Sequence, residues 1–273
     1  LEQHILPDAG ESPGLGLAVY EAKLARRSGG LYTAERLRTV AREEVRSARA
    51  LMEVEARRWR ASLPAAEAAA IGEAGVLAAA LAAMEDDRDG NGADLLATFR
   101  RLTAAAERFV VEHAIASVPQ PTTLIIDLSP AHFSGAAVGG VYPSGPFAPD
   151  AATLFYVPSI AADATAEARE GFYRSFNTHF NTMIISHEMF PGHYLQYKVA
   201  VSEAPRIRTL FPNGPYVEGW GSFVEELMLD AGWAGNEPLT RLAHLRKRLE
   251  NATRAYVSVQ VNTAGWGREA VLR

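Results

Sequence analysis

Two histidines six residues apart, with a Pro-Gly pair between them, limit what this chain can fold into. The stretch reads Met183-Ile184-Ile185-Ser186-His187-Glu188-Met189-Phe190-Pro191-Gly192-His193-Tyr194-Leu195-Gln196-Tyr197. A His-Glu pair followed closely by a second His is how zinc hydrolases hold metal and base together. The common arrangement sets the two histidines four apart, on one helical face. On an unbroken helix of about 100° per residue, six residues turn the second ring roughly 240° from the first. Two rings about 2 Å from one ion cannot be placed that way. Either the helix breaks between them or the pair holds no metal.

The residues in between predict the break. Pro191 has no N–H for the carbonyl of His187, and its ring crowds that turn. It also biases Phe190 away from helical angles. Gly192 tolerates whatever backbone angle the repair requires. An irregular segment between Glu188 and His193 would bring both imidazoles to one side. The competing expectation is a kinked core helix with two solvated histidines.

The 273 residues suffice for one large domain or two small ones. A 48% apolar and 22% charged composition is that of a soluble globular protein, and the net charge of −5 points away from nucleic acid. The basic clusters Arg57, Arg58, Arg60 and Arg246, Lys247, Arg248 sit on helix-like segments and read as solvated faces. The chain has no cysteine, which excludes disulfides, thiolate zinc sites and a cysteine nucleophile. It begins at Leu1 without a leader, which reads as a truncated start, so compartment stays open. Its longest uncharged apolar stretch, Ala74 to Met84, is too short to span a bilayer.

The pattern along the chain is mainly α with a small β element. Residues 1–13 read as an entering loop, Leu15 to Arg27 as a helix, and Thr33 as the N-cap of a long helix reaching about Ser62. Gly14-Leu15-Gly16 lacks the third glycine and preceding strand of a dinucleotide loop. A further helix, Ala-rich, is expected from Pro64 to Met84, and another from Ala93 to Ser117. Asp87-Arg88-Asp89-Gly90-Asn91-Gly92 resembles the start of a calcium loop, but Thr98 stands where a bidentate Glu is needed; it reads as a turn. Thr122–Leu128 and Thr153–Val157 read as strands flanking a long Gly/Pro/Ser-rich loop, residues 129–150, with a sheet edge able to take an extended substrate. Helices are expected from Ala166 to Phe190, on to about Ser202, from Val217 to Asp230, and from Leu239 to Asn262. One domain is expected, with a helical half over residues 1–120, the sheet and loop over 121–160, and a helical metal-site half over 161–273.

Two histidines leave a zinc ion short of ligands, since a catalytic site usually takes three from the protein. Glu218 and Glu225, seven apart on the helix that follows, share one face. Glu218 as ligand with Glu225 orienting a ligating histidine is the natural division, and the reverse is open. His179, eight before His187, reads as a packing or orienting histidine. His4, His113, His132 and His244 show no partner pattern and read as structural or surface residues.

His187 to Gln196, followed by Val217-Glu218-Gly219-Trp220, resembles a bacterial family of zincin-like proteins known only as domain of unknown function 885. The family signature is His-Glu-x-x-Pro-Gly-His-x-x-Gln, then Glu-Gly-Trp on a later helix. Phe176-Asn177 and Thr263-x-Gly265-Trp266 fit the same pattern. The resemblance covers the whole chain, as the C-terminal half of proteins about twice as long, which implies contact with an N-terminal half. A more distant similarity is to the angiotensin-converting enzyme group of helical zinc peptidases, with Gln196-Tyr197-Lys198 sitting similarly and two residues inserted before His193. The resemblance implies a helical zincin-like metallohydrolase fold, one zinc held by His187, His193 and Glu218, and Glu188 as base. Near the C-terminus the family tends to carry a His where this chain has Asn262, which bears on activity rather than metal binding.

The expected function is therefore a zinc-dependent hydrolase of peptide or small amide bonds. Glu188 would take a proton from water and pass it to the leaving amine. Tyr216, Arg254, Tyr256 and Asn262 are the candidate donors to the developing oxyanion. The alternatives are a zinc-binding relative without catalysis and a metal-free helical interaction domain. No Gly-x-Ser-x-Gly elbow occurs to support a serine hydrolase.

Overall fold

The computed structural model describes residues 14–130 and 139–273. The expected entering loop at 1–13, His4, His132 and some of the 129–150 loop lie outside the described residues. The chain forms two compact units, one of residues 1–51 and 245–273, the other of 52–244.

In chain order the helices before the sheet are α1 Leu17–Ser28, α2 Ala34–Ser62, α3 Ala65–Ala70, α4 Val76–Asp86 and α5 Gly92–Glu112. The strands are β1 Leu124–Leu128, β2 Gly140–Tyr142 and β3 Thr153–Val157. After them come α6 Ala166–Ser175, α7 Thr178–Glu188, α8 His193–Glu203, α9 Arg206–Leu210, α10 Gly214–Asp230, α11 Pro238–Ala264 and α12 Arg268–Val271. The protein is thus mainly helical with one small sheet.

In the unit of residues 1–51 and 245–273, α1 ends on Gly29 in the left-handed region (φ 62°), where glycine carries no Cβ penalty. Thr33 starts α2 by accepting from the Arg36 N–H at 3.1 Å. Ala41 and Ala48 of α2 are buried, small residues that allow close helix approach. Arg248 reaches Glu44 at 2.7 Å, and Glu21 accepts from the Ala34 N–H at 2.8 Å.

In the unit of residues 52–244, α5 presents Leu95, Phe99, Leu102, Ala106 and Val110 as one buried stripe, the three-and-four spacing that a helix face requires. They pack with Phe155 and Val157 of β3 and with Met183, Ile184 and Ile185 of α7. The sheet order is β1-β3-β2, with β1 parallel and β2 antiparallel to β3. On the outer side of β1, Arg100 donates to the Ile126 carbonyl through Nε and Nη2 at 3.1 and 2.8 Å. That carbonyl is no longer open to an added strand.

Several elements differ from the sequence expectation. The helix expected from Pro64 to Met84 is two helices, separated by extended Ile71 (φ −95°, ψ 105°) and a 3-10 turn at Glu73–Gly75. The helix expected to reach Ser117 stops at Glu112, and Ala114 takes φ 52°. The helix expected through 166–190 is α6 and α7, because Asn177 leaves helical angles (ψ 165°) and caps α7 by accepting from the Phe180 N–H. Strand β2 lies in the stretch expected to be loop.

Candidate metal centre

Helix α7 ends at Glu188, and Met189 then turns out at φ −112°, ψ −85°. The Phe190–Pro191 peptide is cis. The chain folds back across the end of α7 at Gly192, where a Cβ would lie 1.9 Å from the His187 carbonyl oxygen and 2.4 Å from that of Ser186. Only glycine fits that crossing. Helix α8 starts at once, with the Gln196 N–H donating to the Gly192 carbonyl at 2.9 Å. The irregular segment therefore falls between Glu188 and His193, and the two imidazoles meet edge to face with centroids 4.5 Å apart. On a straight helix they would diverge.

Helix α10 supplies the second wall. Asn213 caps it by accepting from the Tyr216 N–H at 3.0 Å, with Pro215 in its first turn. Glu218, Gly221 and Glu225 recur at three and four along one face. The His187 ring lies over Gly221, where a Cβ would sit 2.4 Å from Cε1. The two carboxylates reach opposite edges of that ring. His187 Nδ1 is 2.6 Å from Glu225 Oε1, and Nε2 is 3.6 Å from Glu218 Oε2. The Trp220 indole N–H, on the same helix, donates to the Pro191 carbonyl at 2.9 Å. The Glu-Gly-Trp run thus ties α10 to the break that positions the histidines.

His193 mirrors this arrangement. Its Nδ1 lies 3.3 Å from Gln196 Oε1, one turn on, and its Nε2 lies 3.9 Å from Glu218 Oε1. In the tautomer that donates from Nδ1, to Glu225 for His187 and to Gln196 for His193, both Nε2 lone pairs point to the space that Glu218 shares. One ligand atom each from His187, His193 and Glu218 falls within 4.8 Å of the others. Both histidines are buried and the Glu218 side chain is 70% exposed, so the cluster opens to solvent on the carboxylate side. This donor set, two neutral imidazoles and a carboxylate, fits a divalent metal with coordination positions left over.

Glu188 is buried beside this cluster. Its charge reaches the hydroxyl of Tyr197, whose pKa is raised first by burial, then by Glu218 and Glu188. Tyr197 therefore stays protonated, and its ring lies 6.1 Å from that of His193. Sequence reading left Tyr197 out of the site; its position one turn beyond His193 on α8 was the available signal.

Of the two glutamates left open by spacing, the structure brings Glu218 into the cluster and places Glu225 behind it. Glu225 is 1% exposed, and its second oxygen lies 2.9 Å from His244 Nδ1 on α11. His244 is buried rather than a surface residue, and its Nε2 finds no hydrogen-bond partner among the described residues. The sequence suggested Glu225 as the partner that orients a ligating histidine but not His244, which comes from a third helix and joins the chain only through packing.

The remaining sequence candidates are placed as follows. Tyr216, in the first turn of α10, is 67% exposed. Arg254, Tyr256 and Asn262 belong to the unit of residues 1–51 and 245–273, and each is engaged there. Arg254 bonds Asn251. The Tyr256 hydroxyl accepts from Gln260 at 3.4 Å. Asn262 donates to the Ser258 carbonyl at 2.8 Å and accepts from the Leu15 N–H at 3.2 Å. His179 packs against Thr240 Oγ1 at 3.1 Å and the Asp87 carboxylate at 3.4 Å. His113 bonds the Phe109 carbonyl at 3.0 Å. No described helix is long and apolar enough to cross a membrane.

Comparison with known proteins gives fold and family. The chain is similar to the solved structure of a candidate lipoprotein of unknown function from Shewanella oneidensis, with a TM-score of 0.79 and 20% identity over 97% of this chain and 46% of that one. It is also similar to a candidate lipoprotein from Colwellia psychrerythraea, with a TM-score of 0.76 and 17% identity over 98% and 44%. The chain spans less than half the length of either, and these identities speak for the fold alone. No curated protein matches it. Residues 1–273 match the family described as bacterial protein of unknown function (DUF885), and the chain belongs to that family.

Proposed function

We propose that this protein is a zinc-dependent hydrolase acting on peptide or small amide bonds. The observation that carries the reading is the convergence of His187, His193 and Glu218, with each imidazole tied back through its Nδ1. A structural ion-pair cluster has no need to aim two Nε2 lone pairs at one carboxylate. Zinc held by these three residues would lower the pKa of its water and polarise a substrate carbonyl. Glu188, next to a ligand and buried, is the base that takes the proton of the attacking water and hands it to the leaving amine. Tyr197, whose pKa is raised by burial and by Glu218 and Glu188, is a neutral donor available to the carbonyl oxygen. Glu225 and His244 hold the His187 ring in the Nδ1–H tautomer.

A second reading, a zinc-binding relative without catalysis, draws on Asn262, which is engaged with Ser258 and Leu15 and cannot carry a proton. The two separate on one comparison. Zinc-reconstituted wild type and Glu188→Gln are each incubated with a peptide library and the products read by mass spectrometry. Cleavage by wild type, with a loss of at least about a hundredfold in the variant, supports the hydrolase. Equal cleavage by both, or none by either, contradicts it.

A further inference from the structure

Beside the candidate metal centre lies a cavity of about 920 Å³ between α8, α9 and α10. Its size is within the range of small-molecule and substrate sites. Two of its walls are shared with the centre. Gln196 lines it while its Oε1 faces His193, and Tyr197 lines it while its ring faces the same histidine. Val217 and Trp220 line it on either side of Glu218. A group seated here would touch residues that flank the candidate ligands His193 and Glu218.

The lining is largely apolar, and only Glu203 and Arg208 bring formal charge. Their signs are opposite, so a charged guest would leave water without net compensation. At the edge of the cavity Phe211 is 74% exposed and Tyr216 67% exposed. Large aromatic side chains held in water around a recess mark a surface that is covered during binding. The Gln196 Nε2 is buried without a hydrogen-bond partner among the described residues. It is a donor at the boundary between cavity and centre, suited to a backbone carbonyl.

We infer that this cavity receives a bulky uncharged apolar side chain of a peptide substrate, adjacent to the bond to be cleaved. The inference rests on the hydrolase reading and names the substrate class of that site.

The test measures binding rather than turnover. Blocked tripeptides Gly-Xaa-Gly, with Phe, Asp or Lys at the centre, are titrated calorimetrically into the Glu188→Gln chain, with zinc and with chelator. The Phe peptide should bind about tenfold more tightly than the Asp or Lys peptide, with or without zinc, as burial of an aromatic side chain requires. Ala200→Trp, which fills the cavity, should remove the preference. If that variant misfolds by circular dichroism, Tyr216→Ala at the exposed rim decides, by weakening the Phe peptide alone. Binding that ignores the central residue, or no binding of any peptide, overturns the inference even if wild type cleaves a library. A preference that persists while wild type cleaves nothing keeps the cavity and sinks the hydrolase reading instead.

Discussion

Gly221 lies directly beneath the imidazole of His187, so close that a Cβ there would sit 2.4 Å from Cε1 and 2.6 Å from Nδ1. The ring cannot retreat without losing Glu225 on one edge and Glu218 on the other. Gly221→Ala should therefore displace His187 although alanine favours a helix over glycine by about 1 kcal/mol. We expect zinc affinity to fall about tenfold or more, with helix content unchanged by circular dichroism. Chelator competition checks this. Wild-type affinity in the variant would show that the ring has another resting place.

The buried carboxylate of Glu225 is met by two imidazoles. His244→Ala removes one hydrogen-bond donor to a buried carboxylate, a loss of about 1–3 kcal/mol of folding stability. It should also weaken zinc binding by about tenfold, because Glu225 then sets the His187 tautomer less firmly. His244→Gln, which can still donate, should recover some of both. Urea titration and chelator competition read the two effects. An alanine variant with unchanged metal affinity would limit His244 to a packing role.

Trp220 and Pro191 link the two motifs through one hydrogen bond of 2.9 Å. Trp220→Phe removes that donor and keeps an aromatic ring. The expected cost is about 1 kcal/mol of stability, together with a several-fold loss of zinc affinity as the 189–192 segment loosens. If only stability changes, α10 positions Glu218 without help from the indole.

Burial pushes the pKa of His179 below its ordinary value of 6.5, against the opposing charges of Asp87 and Glu237. Its folded pKa thus lies below its unfolded one. Above about pH 6.5 neither state is protonated there and stability is unaffected. As the pH falls below that, the unfolded chain takes up the proton first. Stability then declines until the folded pKa is passed, and levels off below it. Metal-free protein should show a lower urea midpoint at pH 5 than at pH 7, and His179→Gln a smaller difference. An identical difference in both would place the titration elsewhere.

The break between His187 and His193 was legible because proline and glycine act locally, and the chemistry that forbids a straight helix there is covalent. The need for glycine at 192 was only half legible. Conformational freedom suggested it, whereas the structure shows close approach to the His187 carbonyl. Gly221 and His244 were not legible, since each owes its role to packing between α10 and α7 or α11. The split of 166–190 into α6 and α7 had a signal in Asn177, a good cap placed within an otherwise helical pattern. Strand β2 had none: three residues in a Gly/Pro-rich stretch become a strand only because β3 offers an edge.

Whether His187, His193 and Glu218 hold one metal ion can be read directly from metal content. Demetallated protein is reconstituted with zinc, freed of excess, and its metal measured by inductively coupled plasma mass spectrometry beside His187→Ala, His193→Ala and Glu218→Ala. The geometry predicts about one zinc per chain in wild type and far less in each variant, all four remaining helical by circular dichroism. Wild type without zinc, or variants that retain it, would contradict the site.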